Sequence, residues 1–524
     1  MTASRILRRR FLRVCASASV LVTGSLLAAC GGTASVGTSG GTATASAPAA
    51  TASGGTVATA SSSQATSAAA PSTSSASTSA ATSIVSATSS AAASSAAAPP
   101  SGQALTLVFW SFFKTTSFAW KTQTKFLQDF NQSHPDLKAD LQNTDYDVNQ
   151  FATAVAAGSP PNVAVLDRYS VAAHASRSLV QDISARASQA GIGGDQQQPW
   201  AWQEVNFQGK LFGLPDGTDS RALYVNVGHL KQAGLPTTPP TTLQAFADLV
   251  QHLTVKEGTT YRQVGFIPWR DCWGLYGWGW LFGGQFYDAQ TNRATLDNPQ
   301  VIAALDWIGT QTKTLDYQAV ENLVKAHNTN TNPFMDEVLS TYFGASNFTP
   351  VLAMQGLAPA KPSLEWAVWP APPPQGIAQT SSWSGGFCKV LPSGATHPDE
   401  SFTLMQFLSG TNYQSADMQS SLELPTFKAL AQDPFWKTVD SRYTTFLNVL
   451  PDSHSRPTVP QIDVLTKGLN DARTAVVTGK QTAKDALQQQ NQVVNAAIQA
   501  NRVAFAALNN DDDVMMNFDD VWAF

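Results

Sequence analysis

The chain has 524 residues, of which 43% are hydrophobic, 10% aromatic and only 13% charged, with a net charge of -5. That length suits two or three folded units with a sizeable core, and the charge balance lacks the basic footprint of a nucleic-acid binder. The four cysteines, Cys15, Cys30, Cys272 and Cys388, form no CxxC or Cys/His cluster, so neither a zinc site nor a disulfide framework is supported.

Residues 1–30 read as an export signal. Arg5, Arg8, Arg9, Arg10 and Arg13 supply a basic start, and Val14 to Leu27 is mostly small and apolar. Leu27-Ala28-Ala29-Cys30-Gly31 resembles the lipobox of bacterial lipoproteins, which implies cleavage before Cys30 and acylation of its thiol. A transmembrane anchor is the competing reading, but Ser17, Ser19, Thr23, Gly24 and Ser25 dilute a short segment. Arg8-Arg9-Arg10-Phe11-Leu12-Arg13 resembles a twin-arginine signal; an ordinary secretory signal fits the same charges. Residues 31–103 contain no charged or aromatic residue and predict a disordered Ser/Ala/Thr/Gly linker. As a flexible coil it would reach about 45–50 Å.

Order is predicted to begin at Ala104. Leu105 to Trp110 is a compact apolar strand, and a helix follows with Trp120, Phe126, Leu127 and Phe130 on one stripe, stopped near Pro135. Asn162 to Leu166 reads as a buried parallel strand. Strands alternating with helices predict an α/β architecture. Gly209 to Asp216 is a hairpin-like turn and Thr218 to Asn226 ends in a strand. His229 to Leu235 is a short helix closed by Gly234, and Thr242 is an N-cap for the next helix.

This succession resembles the family 1 extracellular solute-binding proteins, the maltose-binding-protein-like group. The turn Gly209-Lys210-Leu211-Phe212-Gly213-Leu214-Pro215, the strand end Tyr224-Val225-Asn226, the helix Leu230-Lys231-Gln232-Ala233-Gly234-Leu235 and Pro240-Thr241-Thr242 occur in the family's order. Leu281-Phe282-Gly283-Gly284, Ser384-Gly385-Gly386-Phe387, His397-Pro398-Asp399-Glu400, Leu424-Pro425-Thr426 and Gly479 to Leu487 continue it, across about residues 104–500. Ala353-Met354-Gln355-Gly356-Leu357 departs from the pattern, because relatives carry an aromatic where Leu357 stands.

The resemblance implies a two-lobe periplasmic-binding-protein-like fold of type II, with a ligand cleft between the lobes. Lobe 1 would take residues 104–222 and 348–408, lobe 2 residues 226–345 and 412–508, with 509–524 left as an acidic tail. The crossings would fall near Leu223–Asn226, Ser346–Thr349 and Ser409–Asn412. It implies capture of a carbohydrate, delivery to the permease subunits of an ABC importer, and a monomer held outside the cytoplasmic membrane by lipid on Cys30. A receptor of the same fold serving a sensor or adhesin, or binding a non-sugar solute, is the alternative.

Sugars present apolar C–H faces and a rim of hydroxyls, so their sites combine aromatics with acids and arginines. Trp269, Trp273, Trp278 and Trp280 crowd around Arg270 and Asp271. Heptad spacing from Trp273 sets Trp280 in the core, whereas Trp269 and Trp273 are cleft candidates with a core role as the competing reading. Trp110, Asp167 and Arg168 end strands, where α/β proteins place ligands. Asp216 and Asp219 sit in the turn before the first crossing. Trp383 precedes Gly385 and Gly386, whose missing side chains let backbone approach a ligand. For each, a turn or capping role is the alternative. Cys272 and Cys388 are either a disulfide or two buried thiols. No HExxH or GxxxxGK[ST] motif and no GxSxG nucleophile elbow occurs, so no catalytic residue, metal site or cofactor is expected.

Overall fold

The computed structural model describes residues 104–144, 148–327, 333–347, 361–378 and 380–501. The signal segment with Cys30, the linker, the Ala353–Leu357 departure and the acidic tail lie outside the described residues.

Along the chain the strands that build the architecture are β1 (Leu105–Ser111), β2 (Leu137–Asn143), β3 (Val163–Asp167), β4 (Gly213–Pro215), β5 (Gly217–Thr218), β6 (Arg221–Asn226) and β7 (Thr341–Ala345). They continue with β8 (Trp366–Trp369), β9 (Ser382–Trp383), β10 (Phe387–Val390), β11 (Leu424–Pro425) and β12 (Ser453–His454). The helices that matter here are α1 (Phe118–Ser133), α2 (Pro199–Glu204), α3 (Val227–Gln232), α4 (Leu243–His252), α5 (Gly274–Leu281), α6 (Pro398–Phe407), α7 (Thr411–Ser421), α8 (Ile462–Val477) and α9 (Ala483–Gln499).

A five-stranded sheet runs in the order β2-β1-β3-β10-β4, with β1, β2 and β3 parallel and β10 antiparallel to both its neighbours. Alternation in β1 sends Leu107 and Phe109 into the core. Asn162 fixes the start of β3: its Oδ1 accepts from Val108 N at 2.9 Å and its Nδ2 donates to Thr396 O at 2.8 Å. Helix α1 starts where the Ser117 hydroxyl accepts from Trp120 N, ends before Pro135, and buries Phe126, Leu127 and Phe130. A second sheet, β7-β6-β8, is antiparallel and lies in a larger core rich in aromatics. There Trp273 stacks on Phe343 at 4.2 Å, and Tyr224 packs beside Trp366 and Phe446. As the capping pattern predicts, Thr242 accepts from Ala245 N and opens α4.

The protein is thus a mixed α/β molecule of two lobes, each with its own core. Two stretches differ from the predicted division. Residues 366–369, expected in lobe 1, form the third strand of the second sheet, because Trp366 and Trp369 bury their rings in its aromatic core. Helix α7, expected in lobe 2, belongs to both cores. Tyr413 meets Phe126 of α1 at 5.0 Å, whereas Met418 and Leu422 face the second core. Of the predicted crossings, Leu223–Asn226 is the body of β6, Ser409–Asn412 joins α6 to α7, and Ser346 hydrogen-bonds back to Ser220 O at 2.9 Å. Cys272 and Cys388 are separate buried thiols, one in each core, not a disulfide. No helix among the described residues is long and apolar enough to cross a membrane.

Candidate functional site

Six of the predicted residues converge where β3, β9 and β10 end. Arg168, fully buried, is the centre of this knot. Its Nε donates to Glu204 Oε2 at 3.0 Å, its Nη1 to Gly217 O at 2.8 Å, and its Nη2 to Gly385 O at 2.6 Å. Asp219 accepts from Gly385 N at 2.5 Å and pairs with Arg221 Nε at 3.2 Å. The Arg221 guanidinium lies 3.6 Å over the Trp383 ring. Gly386 holds φ 134°, where a Cβ would collide with Gly217 O and crowd Arg168 Nη1 at 2.7 Å. Gly386 therefore admits the Arg168 guanidinium to the backbone, a reason for a small residue that needs no ligand.

Asp167 caps the turn after β3 and is reached from the other half of the chain. Arg456 Nη2 pairs with Asp167 Oδ1 at 3.1 Å across 289 residues, and its guanidinium lies 3.7 Å over Tyr169 and 5.5 Å from Trp383. Burial lifts the Asp167 carboxyl above its ordinary range, against the pull of Arg456 and Arg168. Burial lifts Glu204 in the same way, against the same two arginines. Strand β12 carries the loop that delivers Arg456, and pairs in parallel with β9, Trp383 opposite His454. His454 stacks on Trp280 at 5.3 Å with the planes 12° apart, and its imidazole is held below its usual range by burial.

The remaining predicted residues stand apart from this knot. Trp110 is half-buried and donates to Gln142 Oε1 at 3.2 Å beside β1. Asp216 is buried against the Lys389 ammonium. Trp269 donates to Glu321 Oε1 at 2.8 Å, and the same carboxylate clamps Arg270 at 2.6 Å. Trp273 has no exposed surface, whereas Trp280 is half-buried, the reverse of the spacing argument. Asp271 accepts from Trp278 Nε1 at 2.7 Å, and burial pushes its carboxyl up to about 6. A groove of about 390 Å³ beside Trp202, Asp195 and Asn206 lies on the other side of α2. Four members of the knot escaped sequence reasoning: Tyr169, Glu204, Arg221 and Arg456. Tyr169, two residues beyond Asp167, and Arg221, two beyond Asp219, had a positional signal. No group of His, Cys, Asp and Glu among the described residues is arranged to hold a metal.

Two α/β lobes, each with its own core, are the frame of a solute-binding protein. The family model for bacterial extracellular solute-binding proteins matches residues 125–441, and the chain belongs to that family of exported proteins. No curated protein matches the chain. Among solved structures, the mannobiose-bound CpMnBP1 shares 19% identity at a TM-score of 0.65, covering 75% of this chain and 100% of that one. The sugar-binding protein MalE from Xanthomonas citri shares 19% identity at a TM-score of 0.64, covering 76% and 98%. An ABC transporter solute-binding protein from Thermotoga lettingae, bound to α-D-tagatose, shares 20% at a TM-score of 0.62, covering 75% and 100%. At these identities the likeness is one of fold.

Proposed function

We propose that the protein captures a neutral carbohydrate between its lobes and delivers it to an ABC importer, tethered outside the cytoplasmic membrane by lipid on Cys30. The observation that carries the reading is the Asp167–Arg456 pair between Tyr169 and Trp383. A carboxylate and a guanidinium read pairs of hydroxyls, and aromatic faces take a sugar's C–H face. The mannobiose and tagatose bound by two of the structural neighbours point the same way. Asp167 and Trp383 are the predicted residues that this reading keeps in contact with ligand, while Arg168, Asp219, Gly385 and Gly386 hold them in place. Closure of the lobes traps the ligand, because the closed arrangement makes contacts that the open one lacks. The bound sugar leaves chemically unchanged.

A thermal-shift screen of the full chain tests this, with mannobiose, maltotetraose and tagatose against spermidine and glycerol phosphate. A ligand at one hundred times its dissociation constant adds about 2.7 kcal/mol, a shift of roughly a few degrees. A shift with a sugar and its recovery intact by mass spectrometry support the proposal. A shift only with spermidine or glycerol phosphate, or hydrolysis of the sugar, sinks it.

A further inference from the structure

Buried polar atoms almost always have partners, so a cluster of atoms without one calls for a water or a ligand to complete the bonding. Three such atoms lie on Arg456 and on two residues it interacts with, Trp383 and Glu204. Trp383 Nε1, Arg456 Nε and Glu204 Oε1 are each buried with no hydrogen-bond partner among the described residues. Their other contacts are made: Glu204 Oε2 holds Arg168, Arg456 Nη2 holds Asp167, and the Trp383 ring lies under Arg221. The unpaired set is two donors and one acceptor, contributed by α2, by the end of β9 and by the loop after β12.

We propose that Glu204, Arg456 and Trp383 form a subsite that reads two neighbouring hydroxyls of a neutral saccharide ring; this rests on the carbohydrate reading above. A hydroxyl both donates and accepts. One hydroxyl gives its proton to Glu204 Oε1 and takes the Arg456 Nε–H, and its neighbour accepts the indole N–H of Trp383. An anionic ligand would face the carboxylates of Asp167 and Glu204, and an ammonium group would face two N–H donors. Neither matches the set. Arg456 acts as the specificity determinant, because it pairs with Asp167 and lies over Tyr169 and beside Trp383.

The test is a calorimetric titration of the full chain with mannobiose and with maltotetraose. The comparison is wild type against the conservative variants Trp383→Phe, Arg456→Lys and Glu204→Gln, with each unliganded melting temperature recorded. Each variant removes or displaces one of the three atoms and retains much of the packing. The expected loss is about tenfold in affinity for each; Trp383→Phe and Arg456→Lys should melt close to wild type, whereas Glu204→Gln, which takes the carboxylate from Arg168, should fold but melt lower. A sugar lacking one of the two hydroxyls should lose affinity for wild type but little further for the matching variant, a pattern that a purely structural role does not produce. If Trp383→Phe and Arg456→Lys both bind the saccharide within about twofold of wild type, the subsite is refuted while carbohydrate capture stands. If folded wild type binds neither saccharide nor any other sugar in the screen, the underlying reading falls and takes the subsite with it.

Discussion

Replacing Arg168 with methionine should be among the most destabilising single changes in the protein, although no ligand need touch this residue. Methionine keeps much of the length of the side chain and removes the guanidinium, with its bonds to Glu204, Gly217 O and Gly385 O. Glu204 is 2% exposed and would be left as a lone buried carboxylate. Breaking one half of a buried pair costs about 3–5 kcal/mol. Each carbonyl that loses its donor adds on the order of 1 kcal/mol, though not additively. We therefore expect a loss of about 4 kcal/mol in urea unfolding of the full chain, followed by tryptophan fluorescence at pH 7.5. Pairing it with Glu204→Gln removes the lone charge and should recover about 2 kcal/mol. A loss below about 1 kcal/mol for Arg168→Met alone would refute the reasoning, since it would mean that water or another cation replaces the guanidinium without cost.

Two further expectations follow from buried groups. Burial, with Asp216 close by, pushes the Asp417 carboxyl up to about 7, against the pull of Lys389. The unfolded chain releases this proton near 4, so the folded state binds more protons between the two values and this contribution to stability falls as pH rises. Asp417→Asn should therefore gain on wild type by roughly 2–3 kcal/mol between pH 5 and 7.5, at 1.36 kcal/mol per unit. The comparison cancels the opposite contribution of His174, which burial holds down at about 4. A constant difference across that range would show that Asp417 is ionised throughout. Gly386→Ala should cost at least about 2 kcal/mol, because φ 134° is closed to other residues and the Cβ meets the Gly217 carbonyl; an unchanged melting temperature would contradict this.

Much of the fold was legible because its signals are local. The alternation in Leu105–Trp110, the Thr242 cap and the stop before Pro135 each depend on a few neighbouring residues, and each matches the structure. Asp167 and Arg168 could be placed at a strand end because strand ends are visible in sequence. The tryptophan cluster shows where such reasoning stops. A heptad argument holds only inside one helix, and Trp273 is the cap before α5 rather than a member of it. Its ring is thus free to turn into the core against Phe343, while Trp280 comes out beside Trp383 and His454. Arg456 had no local signal at all. Its partners lie 289 and 287 residues back, at Asp167 and Tyr169, and nothing short of the folded topology brings them together.

The place of β10 in the first sheet governs how the chain can be made. The strand sits between β3 and β4, so a ribosome that has delivered the first 380 residues has not yet delivered the piece that joins them. The second core waits longer still, since Asn495 of α9 grips both N and O of Ala294, at 3.0 Å each. Neither lobe can close early and wait for the other, as successive domains in many long chains do. Folding becomes a late event that engages both halves together, with long loops to close first. A nascent chain cut short anywhere before α9 carries an unfinished core, and is work for chaperones and proteases rather than a smaller functional protein.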